Sequence, residues 1–328
     1  MKAVLQERVG PPDILRLQEV DRPRAGVGQV LVRVHAAALN PYDWHMMRGD
    51  PYAARLMGGM GLSRPKCRVA GIDAAGVVEA VGAGVGGLRP GTPVLGFCAF
   101  AEYACATAEL VVPKKPERLS FEQAAAVPMG AVTALRGIRT VGRVRSGQRV
   151  LVNGAGGGVG TFAVQIAAGL DAEVTGVCSA GSTELVRSLG AAHVIDYARE
   201  DFTDRRVRYD VILDNVGNFP PGRLRRALTP TGVLVANCGG SPGRVFGAIG
   251  SMLKLAAVNA VTRNSLRPIV PATPGGPAHE DLLAVIALIE AGQVTPVVGR
   301  TYSLADTAEA MRHVEEGHSR GKTVITVR

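Results

Sequence analysis

Five glycines fall within eight residues, Asn153-Gly-Ala-Gly-Gly-Gly-Val-Gly160, and few architectures accept such a run. The residues before it, Arg149-Val-Leu-Val-Asn153, read as a buried strand. Those after it, Gly158 to Leu170, are alanine-rich and read as a helix. A strand, a glycine turn and a helix in that order form the phosphate-binding corner of a dinucleotide fold. The first glycine permits the tight turn, the middle ones let backbone N–H groups approach a pyrophosphate, and the last lets the helix pack against the sheet. The helix N-terminus adds a partial positive charge. The spacing is a variant: Gly154 and Gly156 are followed by Val159, so G-x-G-x-x-G is not met, and Gly154, Gly157 and Gly160 stand as G-x-x-G-x-x-G.

The surroundings agree with that reading. From Ser120, a plausible cap for a helix opening at Phe121, strands and helices alternate. Strands are expected at 149–153, 173–178, 193–197, 210–214, 233–237 and 266–270, with a helix over 182–189. Such alternation indicates βαβ units and a parallel sheet wound on both faces. Residues 1–121 look different: Gln29 to His35 and Gly71 to Val81 are extended, turns are rich in glycine and proline, and helical period is weak. Pro271 to Pro277 reads as a linker, Glu280 to Ala291 as a helix, and Thr323 to Val327 as a strand returning to the first domain. The expected division is therefore 1–121 with 277–328 as one domain and 122–276 as the dinucleotide domain.

Composition excludes several classes. With 47% hydrophobic and 20% charged residues the chain can bury a core, and no run of about 18 apolar residues offers a membrane span. Glu7 and Arg8 interrupt the place of a signal-peptide core, so a cytoplasmic location is expected. Five cysteines (67, 98, 105, 178, 238) without a Cys-x-x-Cys indicate neither a disulfide framework nor a zinc ribbon. The net charge of +9 comes mainly from arginines, such as Arg136, Arg139, Arg143, Arg145 and Arg149. No nucleic-acid motif accompanies them and aromatics are only 4%, so a solvated surface is the favoured reading and no nucleic-acid partner is expected.

The end of the second strand discriminates between nicotinamide cofactors. An NAD site carries a carboxylate there for the ribose 2′-OH. This chain has Cys178-Ser179-Ala180-Gly181-Ser182, where Ser179 and Ser182 supply hydroxyls instead, and Tyr197 could supply another from the next strand. NADPH is the expected cofactor.

Five segments, Asn40-Pro-Tyr-Asp-Trp44, Ala70-Gly-Ile-Asp-Ala-Ala-Gly-Val-Val78, Val127-Pro-Met-Gly-Ala-Val-Thr133, Gly154 to Gly160 and Gly317-His-Ser-Arg-Gly-Lys-Thr-Val324, resemble the medium-chain dehydrogenase/reductase superfamily. They span nearly the whole chain in the family's order. Within it the chain is similar to the zinc-independent quinone oxidoreductases. The resemblance implies an α/β fold, a GroES-like β-barrel domain joined to a Rossmann domain, with the active site in the cleft between them. It further implies that Gly156, Gly157, Gly158 and Val159 hold the pyrophosphate and that Ser179 and Tyr197 hold the adenosine phosphate. Asn40 and Thr133 would lie near the nicotinamide ribose, Asn215, Val216 and Cys238 near the ring and its ribose, and Lys322 also at the cofactor. A homodimer is the assembly it suggests.

Zinc-dependent members place a cysteine where this chain has Asn40 and a Gly-His-Glu where it has Gly71-Ile-Asp73. Asparagine and isoleucine are not zinc ligands, so no metal is expected. A substrate that needs no strong Lewis acid then fits best: a quinone or an α,β-unsaturated carbonyl. Tyr42, His45 and Tyr52 follow Asn40 and are the candidate proton donors, with lid or packing roles as the alternative. Residues 50–66, with Met57, Gly58, Gly59, Met60 and Gly61, could form a lid or an ordinary surface loop, and Ser241 to Arg263 a second wall or a dimer interface. Two other readings stay open: an enoyl-thioester reductase of polyketide or fatty-acid type, and a non-catalytic NADPH- or RNA-binding protein.

Overall fold

The computed structural model describes residues 1–50, 65, 68–114, 119–204, 206–237, 265–269 and 278–328. Tyr52, Cys67, Cys238, the glycine–methionine stretch, the expected 241–263 wall and the expected 271–277 linker lie outside them. The chain divides into two compact units, residues up to 132 together with those from 272 onward, and residues 133–271.

The first unit opens with a hairpin of β1 (Lys2–Leu5) and β2 (Arg16–Glu19). Strand β3 (Gln29–Ala38) runs three residues past the expected His35 and alternates buried valines with half-exposed residues over its middle. After it comes a helix the sequence reading did not anticipate, α1 (Pro41–Arg48). Strands β4 (Asp73–Val81), β5 (Pro93–Phe97), β6 (Tyr103–Thr107) and β7 (Val111–Pro113) follow, all antiparallel to their neighbours. Val30, Val32, Val34, Val78, Val94 and Phe100 form much of the core here. Helix α2 (Phe121–Ala125) begins at Ser120, whose hydroxyl accepts from the Gln123 N–H at 3.1 Å, as the capping pattern anticipated. This helix packs on β3 and β4, which is why the first unit extends to residue 132 instead of stopping at 121. Helix α3 (Pro128–Leu135) carries the chain out of it.

The second unit is a six-stranded parallel sheet: β8 (Arg149–Asn153), β9 (Glu173–Cys178), β10 (His193–Asp196), β11 (Tyr209–Asp214), β12 (Leu228–Ala236) and β13 (Ser265–Pro268). Helices α4 (Gly160–Ala168), α5 (Thr183–Ser188) and α6 (Pro221–Arg226) connect them. The spatial order β10–β9–β8–β11–β12–β13 is that of a doubly wound dinucleotide fold, with the strand order switching between β8 and β11. Covered on both faces, β8 and β11 read as near-continuous apolar runs, and Val150, Leu151, Val152, Ile212 and Leu213 are fully buried or nearly so.

The chain then returns to the first unit with α7 (Ala278–Glu290), β14 (Val298–Ser303), α8 (Thr307–Glu315) and β15 (Lys322–Thr326). Strand β15 lies parallel to β14 and antiparallel to β3, completing a seven-stranded sheet. Among the described residues no helix is long and apolar enough to cross a membrane.

Candidate active site

The glycine turn leaves β8 at Asn153. Gly154 takes a φ of +77°, a conformation that side chains with a Cβ avoid. The N–H groups of Gly154 and Ala155 both donate to the Val177 carbonyl, at 3.0 and 2.9 Å, and that of Gly157 donates to the Gly154 carbonyl at 3.1 Å. These bonds fold the turn. Among the described residues the N–H groups of Gly156, Gly158, Val159 and Gly160 have no acceptor, and they lead directly into the N-terminus of α4. Unpaired amides followed by a helix dipole make an anion-binding corner.

The other expected cofactor residues of this unit sit at the carboxyl ends of neighbouring strands. Ser179 follows β9 and Tyr197 follows β10, two strands paired Cys178 to Asp196, so the two residues emerge side by side. Tyr197 is 52% exposed and its N–H donates to the Cys178 carbonyl. Ser182 differs: it is buried, and its hydroxyl lies 2.8 Å from where a Cβ on Gly156 would be. It therefore packs beneath the glycine turn.

Past β11, Asn215 donates its side-chain amide to the Asn153 carbonyl at 3.1 Å and accepts from Asn237 at 3.2 Å. Buried Asp214 binds three donors through one oxygen: Asn153 Nδ2 at 2.8 Å and the N–H groups of Val216 and Gly217 at 3.1 Å each. The turn carrying Asn215 and Val216 is thus tied to the strand that ends in the glycine run.

In the first unit, Asn40 and Lys322 meet. The Lys322 ammonium donates to Asn40 Oδ1 at 2.5 Å and to the Leu39 carbonyl at 3.1 Å, and lies 3.6 Å from Asp73 Oδ2. Asp73 accepts from Asn40 Nδ2 at 3.0 Å and from the Met129 N–H. Asp43 accepts from the Asn40 N–H at 2.7 Å, closing a capping box at the start of α1. All four side chains are buried. Burial pushes the Asp43 carboxyl up to about 7, with the Asp73 charge adding to the shift. Burial also raises Asp73 and lowers Lys322, each opposed by the charge of the other.

Helix α1 carries Tyr42 and His45. The Tyr42 phenol is half-buried, and burial with the neighbouring Asp43 charge raises its pKa, so it keeps its proton at neutral pH. His45 stacks on Trp44 with ring centroids 3.7 Å apart. Thr133 is buried on α3. Sequence reasoning overlooked Asp73, Asp43 and Asp214. An Asn-Pro-x-Asp capping pattern at 40–43 and an Asp-Asn-x-Gly turn at 214–217 were the available signals for two of them. Asp73 had none. Of the arginines, Arg223 is paired with Asp201 at 2.7 Å and Asp204 at 3.3 Å.

A doubly wound sheet with a glycine turn after its first strand, in a chain whose separate β unit is completed by its last strand, defines a nucleotide-dependent oxidoreductase of two-domain type. The chain belongs to the medium-chain dehydrogenase/reductase superfamily. Residues 26–117 match the alcohol dehydrogenase GroES-like domain and residues 189–325 the zinc-binding dehydrogenase family. The chain is 33% identical to human mitochondrial NAD(P)H oxidoreductase RTN4IP1, over 100% of its own length and 89% of that protein's. It is 34% identical to tomato (Solanum lycopersicum) 2-methylene-furan-3-one reductase, over 99% and 79%. The quinone oxidoreductase of Coxiella burnetii superposes with a TM-score of 0.83 at 28% identity, covering 100% of this chain and 99% of that one.

The matched family is named for zinc, and the residues here do not suit it. The Asn40 amide and Asp73 carboxylate are bonded to each other, and the Lys322 ammonium already occupies their polar side. Ile72 offers no donor, and a second cation would meet an ammonium at contact distance.

Proposed function

We propose that this protein is an NADPH-dependent oxidoreductase that transfers a hydride to a quinone or an α,β-unsaturated carbonyl. The observation that carries the reading is the set of four amides between Gly156 and Gly160, at the start of α4, that have no acceptor among the described residues and are flanked by Ser179 and Tyr197. Gly156, Gly157, Gly158 and Val159 would cradle the pyrophosphate. Ser179, at the end of β9 where residues 178–182 include no carboxylate, and Tyr197, beside it after β10, would take the 2′-phosphate. Asn215 and Val216 would flank the nicotinamide ribose, as would Thr133. The relatives support the acceptor class: one is named for quinones, and the other for a ketone conjugated to an exocyclic methylene.

The bound dihydronicotinamide supplies the hydride. In an enone this arrives at the β-carbon and leaves an enolate, which takes up a proton at the α-carbon, or at oxygen with later tautomerisation, to give the saturated ketone. Tyr42 holds its proton at neutral pH and is the donor we favour over His45. No cation is needed, because conjugation spreads the arriving charge. The thiols of Cys98 and Cys178 are free and buried, which suits a reducing compartment, and the cytoplasm is the location we propose.

The test is NADPH oxidation against quinones, short enones and a crotonyl thioester. Turnover of quinones or enones is expected. Turnover confined to the thioester would move the protein to the enoyl-thioester reductases, and an inert panel would overturn the reading.

A further inference from the structure

The Lys322 ammonium has three N–H donors, and three acceptors surround it: the Leu39 carbonyl, Asn40 Oδ1 and the Asp73 carboxylate. With its side chain 3% exposed, the cation turns inward. The Asn40 amide is held in one orientation, its oxygen facing the ammonium and its nitrogen facing Asp73. The reverse orientation would set NH₂ against a cation and a carbonyl against a carboxylate. The Asn40 backbone is fixed as well, since its N–H donates to Asp43 and its carbonyl accepts from the Asp43 N–H at 3.0 Å. Asn40 is therefore the joint between the end of β3 and the first turn of α1, the turn that presents Tyr42.

We propose that Lys322 is a positioning residue: through Asn40, and with Asp73, it sets the first turn of α1 and so the placement of Tyr42, and it does not bind the cofactor. The inference rests on the functional reading above. It reassigns Lys322, which the family resemblance places at the cofactor. Its partner Asp73 enters β4 opposite Ala38 at the end of β3, so the joint is built from the three strand ends β3, β4 and β15.

The experiment compares wild type with Lys322→Met and with the double variant Lys322→Met/Asp73→Asn, which removes one charge of each sign. NADPH affinity, kcat with a quinone or enone, thermal midpoint and amide exchange at Asp43 are measured. For Lys322→Met the expected result is an NADPH Kd within about threefold of wild type, a kcat lower by about 10- to 100-fold, as a misplaced group can cause, and an Asp43 amide exchanging about tenfold faster or more while β3 and β15 stay protected. The double variant should regain thermal stability without regaining kcat, because Asn40 Oδ1 still lacks its donor.

A Kd that weakens as much as kcat falls would mean direct cofactor contact and would overturn the inference. So would an unchanged kcat, a double variant that regains kcat, or the failure of both variants to fold. If wild type turns over nothing, the functional reading fails by itself, and the exchange rate at Asp43 then decides this inference: unchanged exchange overturns it.

Discussion

The α-carbon of Gly160 is pressed against the carbonyl of Gly154: a Cβ at position 160 would lie 2.1 Å from that oxygen and 2.7 Å from the Ala155 α-carbon. Both obstacles are backbone, so neither can rotate away. Gly160→Ala should cost about 1–3 kcal/mol of stability, the usual range for overpacking, and should weaken NADPH binding by moving the amides of the turn. Gly222, on α6, has nothing within 4 Å of its Cβ position. Gly222→Ala should instead stabilise by about 0.4–1 kcal/mol and leave binding unchanged. Urea melts and a fluorescence titration check both.

Asp214 is the anchor of the turn at 214–217. Asp214→Ala would leave the Asn153 amide with Asn218 Oδ1 as its remaining acceptor and orphan the N–H groups of Val216 and Gly217. A loss of about 1–3 kcal/mol per stranded donor is the upper scale, and water entering the gap would reduce it. Asp214→Asn keeps an acceptor oxygen and should fall between the alanine variant and wild type in a denaturant titration.

The raised carboxyl of Asp43 predicts a pH dependence of definite sign. Its pKa is about 7 in the folded protein against 3.8 as the ordinary value. Between these limits the folded state holds a proton that the unfolded chain has released, so raising the pH favours unfolding. Wild-type stability should fall from about pH 4 to pH 7 through this group and then level off. Asp43→Asn keeps an acceptor for the Asn40 N–H and removes the titration. The stability difference between variant and wild type should therefore grow in the variant's favour as pH rises from 5 to 8, and a constant difference would refute the assignment.

Cofactor choice is testable at the end of β9. Ser179→Asp puts a carboxylate where an NAD site would carry one. It should repel a 2′-phosphate and reduce the NADPH preference over NADH by tenfold or more. Wild type binding NADH the tighter would overturn the NADPH reading at once.

The two halves of the chain were unequally legible. Strands β8 to β12 could be read because a parallel sheet covered on both faces needs unbroken apolar runs, and Val150 to Val152 and Val211 to Leu213 are such runs. Helix α1 escaped notice because Pro41 to Arg48 mixes apolar and polar residues around the whole helix, burying only Asp43 and Met47. Strand β14 escaped too, since most of its residues are exposed and its alternation is lost. The glycine turn announced its own function, whereas the Lys322 joint could not: 249 positions, about three quarters of the chain, separate Asp73 from Lys322. They meet only because β15 pairs with β3 and β3 with β4.

That return of β15 sets an order for events on the ribosome. The described strands of the second unit all lie between residues 149 and 268, so all of them are available before residue 300 is made. In the first unit β6 covers one edge of β3 over Gln29–Arg33, and the rest of that edge, Ala36 to Ala38, stays open until residues 322–326 emerge. The nucleotide-binding half can thus mature while its older neighbour is still half built, and a stall in translation near residue 320 would release a chain with an exposed seam, a natural target for chaperones and proteases.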